Sequence, residues 1–226
     1  MTNLEQMPFG NLEFADNPEP RCACLLLLDT SGSMQGAKIA QLNHGLAEFA
    51  RQLRRDSMAA KRVEVAVVTF GASVRVEQRF VTADSFIAPV LAADGNTPMG
   101  EAIQRAVDLI SERKKAYRAN GIGYYRPWIF MISDGEPTDD VTLATERIKS
   151  GEAKKSFMFY SVGVENADIG KLAKISVRQP LRLRGLSFEK LFVWLSDSLS
   201  SVSRSQVGDA PELRNPITPD GWASAE

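Results

Sequence analysis

Residues Cys22 to Met34 read CACLLLLDTSGSM. The apolar run Cys22 to Leu28 stops at Asp29, and the chain then turns through hydroxyl-bearing residues and Gly32. An unbroken run of this kind suits a central strand covered on both faces, since a half-exposed strand would alternate polar and apolar residues. It is far too short to cross a bilayer, which takes about 20 apolar residues. Just beyond it the period changes. Gly36 to Arg55 carries Ile39, Leu42, Leu46, Phe49, Ala50 and Leu53 at helical spacing. Val63 to Phe70 is a second buried strand. Gly71-Ala72 turns the chain, and Val74, Val76 and Phe80 then alternate, as expected of an edge strand paired antiparallel to its predecessor.

The rest of the chain repeats this alternation. A short helix is expected over Ala83 to Ala92, then a loop at Asp94-Gly95-Asn96. Thr97-Pro98 reads as a helix cap followed by a first-turn proline, and Ile103, Ala106, Val107 and Ile110 form the inward face of that helix. A glycine-bearing loop spans Ala119 to Tyr125. Trp128 to Ser133 is a strand that ends at Asp134, Asp139 to Ser150 a helix, and Ser156 to Val162 another strand. Ile169 to Ile175 is a short helix, Pro180 to Leu183 a weak strand, and Phe188 to Val202 a last amphipathic helix. Strands alternating with helices imply an α/β fold: an open, mostly parallel sheet with helices on both faces. Residues 1–20, with Pro8, Pro18 and Pro20, are expected to be an irregular lead-in. Residues 21–205 form the domain. Residues 206–226, with Pro211, Pro216 and Pro219, read as an extended or disordered tail. Trp222 in that tail has two readings, an anchor on a partner or a fold-back onto its own domain.

Composition narrows the class. Hydrophobic residues make up 44% and charged residues 24%, which is globular rather than disordered. The net charge is −1, so nothing favours nucleic acid or a membrane surface, both of which attract basic proteins. Met1 to Gly10 lacks the apolar core of a signal peptide, and a cytoplasmic location is expected. Cys22 and Cys24 project to one side of a strand and read as small core residues, because a C-x-C pair lacks the further ligands of a zinc site. His44 lies inside a helix and reads as structural.

In a sheet of this kind ligands bind beyond the carboxyl ends of the strands. Asp29, Ser31 and Ser33 follow the first strand, Asp134 follows the strand from Trp128, and Thr97 starts a helix at the same edge. These two carboxylates and three hydroxyls offer oxygen donors only, the preference of hard divalent ions such as Mg²⁺, Mn²⁺ or Ca²⁺. The three hydroxyls would bind the metal directly and the carboxylates would hold its waters. Such a metal stays electrophilic and favours a carboxylate from outside. Glu136 and Asp139 add acidity to this rim, and Asp139 reads as a cap for the helix that follows it.

The set Asp29-x-Ser31-x-Ser33, then Thr97, then Asp134, resembles the metal-ion-dependent adhesion site of von Willebrand factor type A domains, over roughly residues 21 to 205. The resemblance implies a Rossmann-like, six-stranded sheet with one antiparallel edge strand, and protein binding rather than catalysis, with a partner's Asp or Glu completing the metal's shell. The stretches Asn17 to Cys22 and Tyr124 to Trp128 are also similar to a bacterial subgroup, the tellurium-resistance-associated TerY-like proteins. That likeness implies a stress or phospho-signalling context, with a serine/threonine kinase and a metal-dependent phosphatase as partners. Two other functions compete. A metal-assisted hydrolase or phosphatase would need a further acid or base near Asp29, and neither a nucleotide-phosphate loop nor a Ser-His-Asp arrangement is suggested. A regulatory substrate of a kinase would use hydroxyl-rich segments such as Ser196 to Ser205.

Overall fold

The computed structural model describes residues 12–209 and 213–224. Among the described residues the sheet has seven strands. Its central strand β1, Cys22–Asp29, is buried along its whole length. It lies parallel between β2, Val63–Phe70, and β4, Trp128–Ser133. Strand β5, Met158–Gly163, and β6, Leu181–Leu183, extend the parallel set. Strand β3, Val74–Thr82, closes one edge antiparallel to β2, with outward residues exposed along most of its length.

The run in β1 is continuous because each face meets helices. Cys22, Cys24, Leu26 and Leu28 pack against α2, Ala37–Arg55, and α7, Phe188–Arg204. Ala23, Leu25 and Leu27 face α4, Met99–Ala119, and α5, Thr142–Ala153. Short helices α1, Leu12–Asp16, α3, Ser57–Arg62, and α6, Ile169–Ile175, complete the layers. Both cysteines are free and buried, and burial pushes the Cys22 thiol up to about 12, consistent with core residues. His44 is on the surface of α2, 3.5 Å from Glu189.

The expected α/β architecture with a mostly parallel sheet is present, with three differences. The first is the strand count, seven rather than six. The tail beyond residue 206 returns, and β7, Ala223–Ser224, pairs antiparallel with β6. Trp222 folds back, only 2% exposed, with its ring 5.4 Å from that of Trp194. The second is Ala83 to Ala92, which forms no helix. Pro89 removes a backbone donor there and disfavours helical geometry at Ala88. The buried residues Phe86 and Leu91 lie five apart, off a helical face. The Asn43 side chain clamps the segment, donating to Leu91 O and accepting from Leu91 N, both at 2.8 Å. The third is the lead-in, where residues 12–16 are helical and Phe14 packs edge-on to Tyr117. The remainder of that expectation, residues 1–11, lies outside the described residues.

Candidate functional site

The parallel strands β1 and β4 end side by side, and the turns that follow them form one rim of the sheet. Asp29 closes β1 and is fully buried. Its carboxylate accepts from Ser31 N at 2.8 Å and from Ser133 Oγ at 2.5 Å. The first contact folds the chain back at once, and a one-turn 3-10 helix, Gly32–Met34, follows. Ser31 Oγ lies 3.0 Å from Ser33 Oγ, and Ser33 Oγ donates to Asp134 Oδ1 at 2.7 Å. A side chain at Gly135 would begin 3.1 Å from Thr97 Oγ1 and 3.6 Å from Asp29 Oδ2. Thr97 and Asp29 therefore flank the same small space, which only a glycine leaves free. All five residues singled out from the sequence meet at this rim.

The neighbouring loop is fixed by backbone bonds. Gly32 N donates to Gly95 O at 2.9 Å, and Asp94 N donates to Thr30 O at 2.8 Å. Gly95 has a left-handed φ of 77°, a region glycine enters freely. Thr97 does not cap α4, contrary to the reading of Thr97-Pro98. The cap position is Pro98, and Asp139 accepts from Gly100 N and Glu101 N at 2.9 and 2.8 Å. Asp139 thus caps α4 from across the rim instead of the helix after it, where Asp140 accepts from Thr142 N. This division of labour leaves the Thr97 hydroxyl for the rim.

Burial raises the Asp29 carboxyl above the usual carboxylate range. Hydrogen bonds from Ser133 and Ser31 pull it back down, and the charge on Asp134 adds to the rise. A buried carboxylate with only neutral donors is costly, and a cation would relieve it. The donor set is all oxygen. These residues fit a hard divalent cation.

Sequence reasoning missed three contributors. Ser133 is buried and bonds Asp29, and its place at the strand end beside Asp134 was the available signal. Lys38, the second residue of α2, reaches back to Asp134 Oδ2 at 2.5 Å, to Ser33 O at 3.2 Å and to Glu165 Oε2 at 3.1 Å. Burial works against the Lys38 charge, but its bonds to Asp134 and Glu165 outweigh that and raise its pKa. Glu165, with a left-handed φ of 48°, follows β5. Nothing local in the sequence announces either partner. The rim is also less acidic than expected, since Glu136 pairs with Lys171 and Asp139 is spent on α4.

The chain belongs to the von Willebrand factor type A domain family, whose sequence model matches residues 25–188. Members of that family often mediate protein–protein interaction or adhesion. No curated protein is a significant match in sequence. Among solved structures, the pilus adhesin SpaC of Lactobacillus rhamnosus GG aligns with a TM-score of 0.66 at 11% identity, over 82% of this chain and 31% of that one. The conserved hypothetical protein BatB of Bacteroides thetaiotaomicron aligns at 0.55 with 18% identity, over 81% of this chain and 100% of that one. The vWF domain of the type V pili tip protein Mfa5 of Porphyromonas gingivalis aligns at 0.54 with 10% identity, over 85% and 99%. At these identities the likeness is one of fold. The chain spans only 31% to 49% of the first solved structures it matches. Among the described residues no helix is long and apolar enough to cross a membrane.

Proposed function

We propose that this domain is a metal-dependent protein-interaction module, an adaptor rather than an enzyme. Ser31, Ser33 and Thr97 would hold the ion, with Asp29 and Asp134 supporting it. Mg²⁺ is the expected cofactor, with Mn²⁺ or Ca²⁺ as chemical equivalents. The bound ion supplies a Lewis-acidic point at the rim, and an Asp or Glu of a protein partner completes its shell. The observation that carries this reading is the convergence of five oxygen-bearing side chains from three separate segments around Gly135, with the buried Asp29 carboxylate touched by neutral donors alone. The resemblance of Asn17 to Cys22 and Tyr124 to Trp128 to TerY-like proteins supports a cytoplasmic bacterial stress or phospho-signalling complex. A serine/threonine kinase and a metal-dependent phosphatase are then the expected partners, without nucleic acid or membrane.

The kinase-substrate alternative gains little from α7. Ser196, Ser198 and Ser203 are buried, and the hydroxyls of Ser196, Ser198, Ser201 and Ser203 bond back to carbonyls of their own helix.

Calorimetric titration of Mg²⁺ and Mn²⁺ into wild type and Asp134→Ala tests the site. Saturable binding that weakens at least about tenfold in the variant is expected. Equal affinity in both would overturn the site. Affinity purification with Mg²⁺ or with chelator then tests the use of the ion. A partner kept equally under both conditions would place the binding surface elsewhere.

A further inference from the structure

A groove of about 570 Å³ runs between α4 and α5, away from the rim. Both helices start at the rim and run toward the opposite edge of the sheet. The groove is graded along that direction. Its upper part carries the apolar side chains of Val107 and Ile110 on α4 and of Leu143, 52% exposed, on α5, beside Arg147. Its lower part is basic, with Lys114, Arg118 and Lys154. The neighbouring acids are already committed: Glu152 is held by Arg126 and Arg178, and Asp108 by Arg147. Glu146 is the acid in the lining. Lys114 reaches a neutral partner instead, donating to Ser156 O at 3.0 Å. Burial lowers its pKa, and the charges of Arg118 and Arg126 lower it further. Gly151 lets α5 pack closely on the Phe157 ring, because a side chain there would begin 2.2 Å from it.

We infer that this groove is a docking site for an extended acidic peptide segment of a protein partner, with an aliphatic anchor at one end. Positive charge on a chain whose net charge is −1 makes an anionic ligand the complement, and the exposed Leu143 end calls for an apolar side chain. Length agrees. Val107 to Arg118 spans about 16 Å of helix axis at ~1.5 Å per residue, which matches about five residues of extended chain at ~3.3 Å each. The inference stands apart from the metal site.

Fluorescence polarisation with labelled hexapeptides of two leucines and four glutamates, in both orders, tests it on the whole chain. Saturable binding by at least one order is expected, unchanged by chelator and weakened by salt. The pair Arg118→Glu and Lys154→Glu, both exposed, should weaken it at least about tenfold without moving the thermal midpoint. No saturation by either peptide would overturn the proposal, as would equal binding by the variant or by peptides with lysine in place of glutamate. Capture by vesicles rich in anionic lipid, with no peptide binding, would overturn it in favour of a membrane surface.

Discussion

Asp29 and Glu64 are buried carboxylates at opposite ends of one sheet, and the chain treats them differently. Glu64, the second residue of β2, meets Arg21 Nε at 2.9 Å, Arg113 Nε and Nη2 at 2.7 Å each, and the Tyr117 hydroxyl. Arg113 also reaches Glu13, and both Arg21 and Arg113 lie over the Phe14 ring. Burial works to lower the Arg113 pKa, but its bonds to Glu64 and Glu13 outweigh it and hold it above the ordinary value. At this end the cations are built in, and they tie α1 to the sheet. At the rim, Asp29 receives an amide and a hydroxyl, and no cationic side chain among the described residues contacts it. A carboxylate locked by the chain's own cations serves the fold. One furnished with neutral donors stays able to serve a cation from outside.

The comparison breaks most visibly at Glu64. Replacing it by Ala leaves Arg21, wholly buried, without its counter-ion, and a broken buried pair costs about 3–5 kcal/mol. Urea denaturation of Glu64→Ala should show that loss. A loss below about 1 kcal/mol would mean that water already neutralises this end. At the rim the sign reverses. Asp29→Asn removes a buried charge while keeping an acceptor for Ser31 N, so the metal-free domain should be at least as stable as wild type. Mg²⁺ affinity should meanwhile fall at least about tenfold, or ~1.4 kcal/mol. A metal-free Asn variant less stable by more than about 1 kcal/mol would show Asp29 to be a structural anion like Glu64.

Asp139 sharpens the boundary between the two roles. It stands at the rim yet accepts from two amides at the start of α4. Asp139→Ala should therefore lower stability by about 1 kcal/mol, the usual worth of a helix cap, in a thermal melt. A loss of metal affinity as large as that of Asp29→Asn would move Asp139 into the site.

What could be read from the sequence follows the range of the forces involved. The β1 run was legible because burial on both faces is written in seven consecutive residues, Cys22 to Leu28. The rim residues were legible because each follows a strand or precedes a helix, where local order fixes which edge it reaches. The segment Ala83 to Ala92 misled, since its conformation is set by Pro89 and by Asn43, which lies 48 residues before Leu91. The seventh strand depends on Trp222 meeting Trp194 and on pairing with β6, contacts with no local pattern. Arg21 and Glu64 are visible as charges next to or within apolar strands, but only the packing of α4 shows that Arg113 and Tyr117 close around Glu64.

Lys38 is the finest test, because it brings a built-in cation to the rim without reaching Asp29. Its ammonium divides three bonds among Asp134, Glu165 and Ser33 O, and it remains 19% exposed, where charge is partly screened. Its charge repels an incoming ion, yet its hold on Asp134 also fixes that side chain. If repulsion is the larger effect, Lys38→Met raises Mg²⁺ affinity by about threefold, roughly 0.6 kcal/mol, and makes it more sensitive to salt, because the carboxylates' attraction is then screened with no repulsion to offset it. If orientation is larger, affinity falls instead. The salt dependence separates these outcomes from a packing defect, since only a lost charge changes the slope. The contrast with Glu64 favours repulsion: Asp134 keeps its bond from Ser33 Oγ when the lysine is gone, whereas Glu64 owes its place to its arginines.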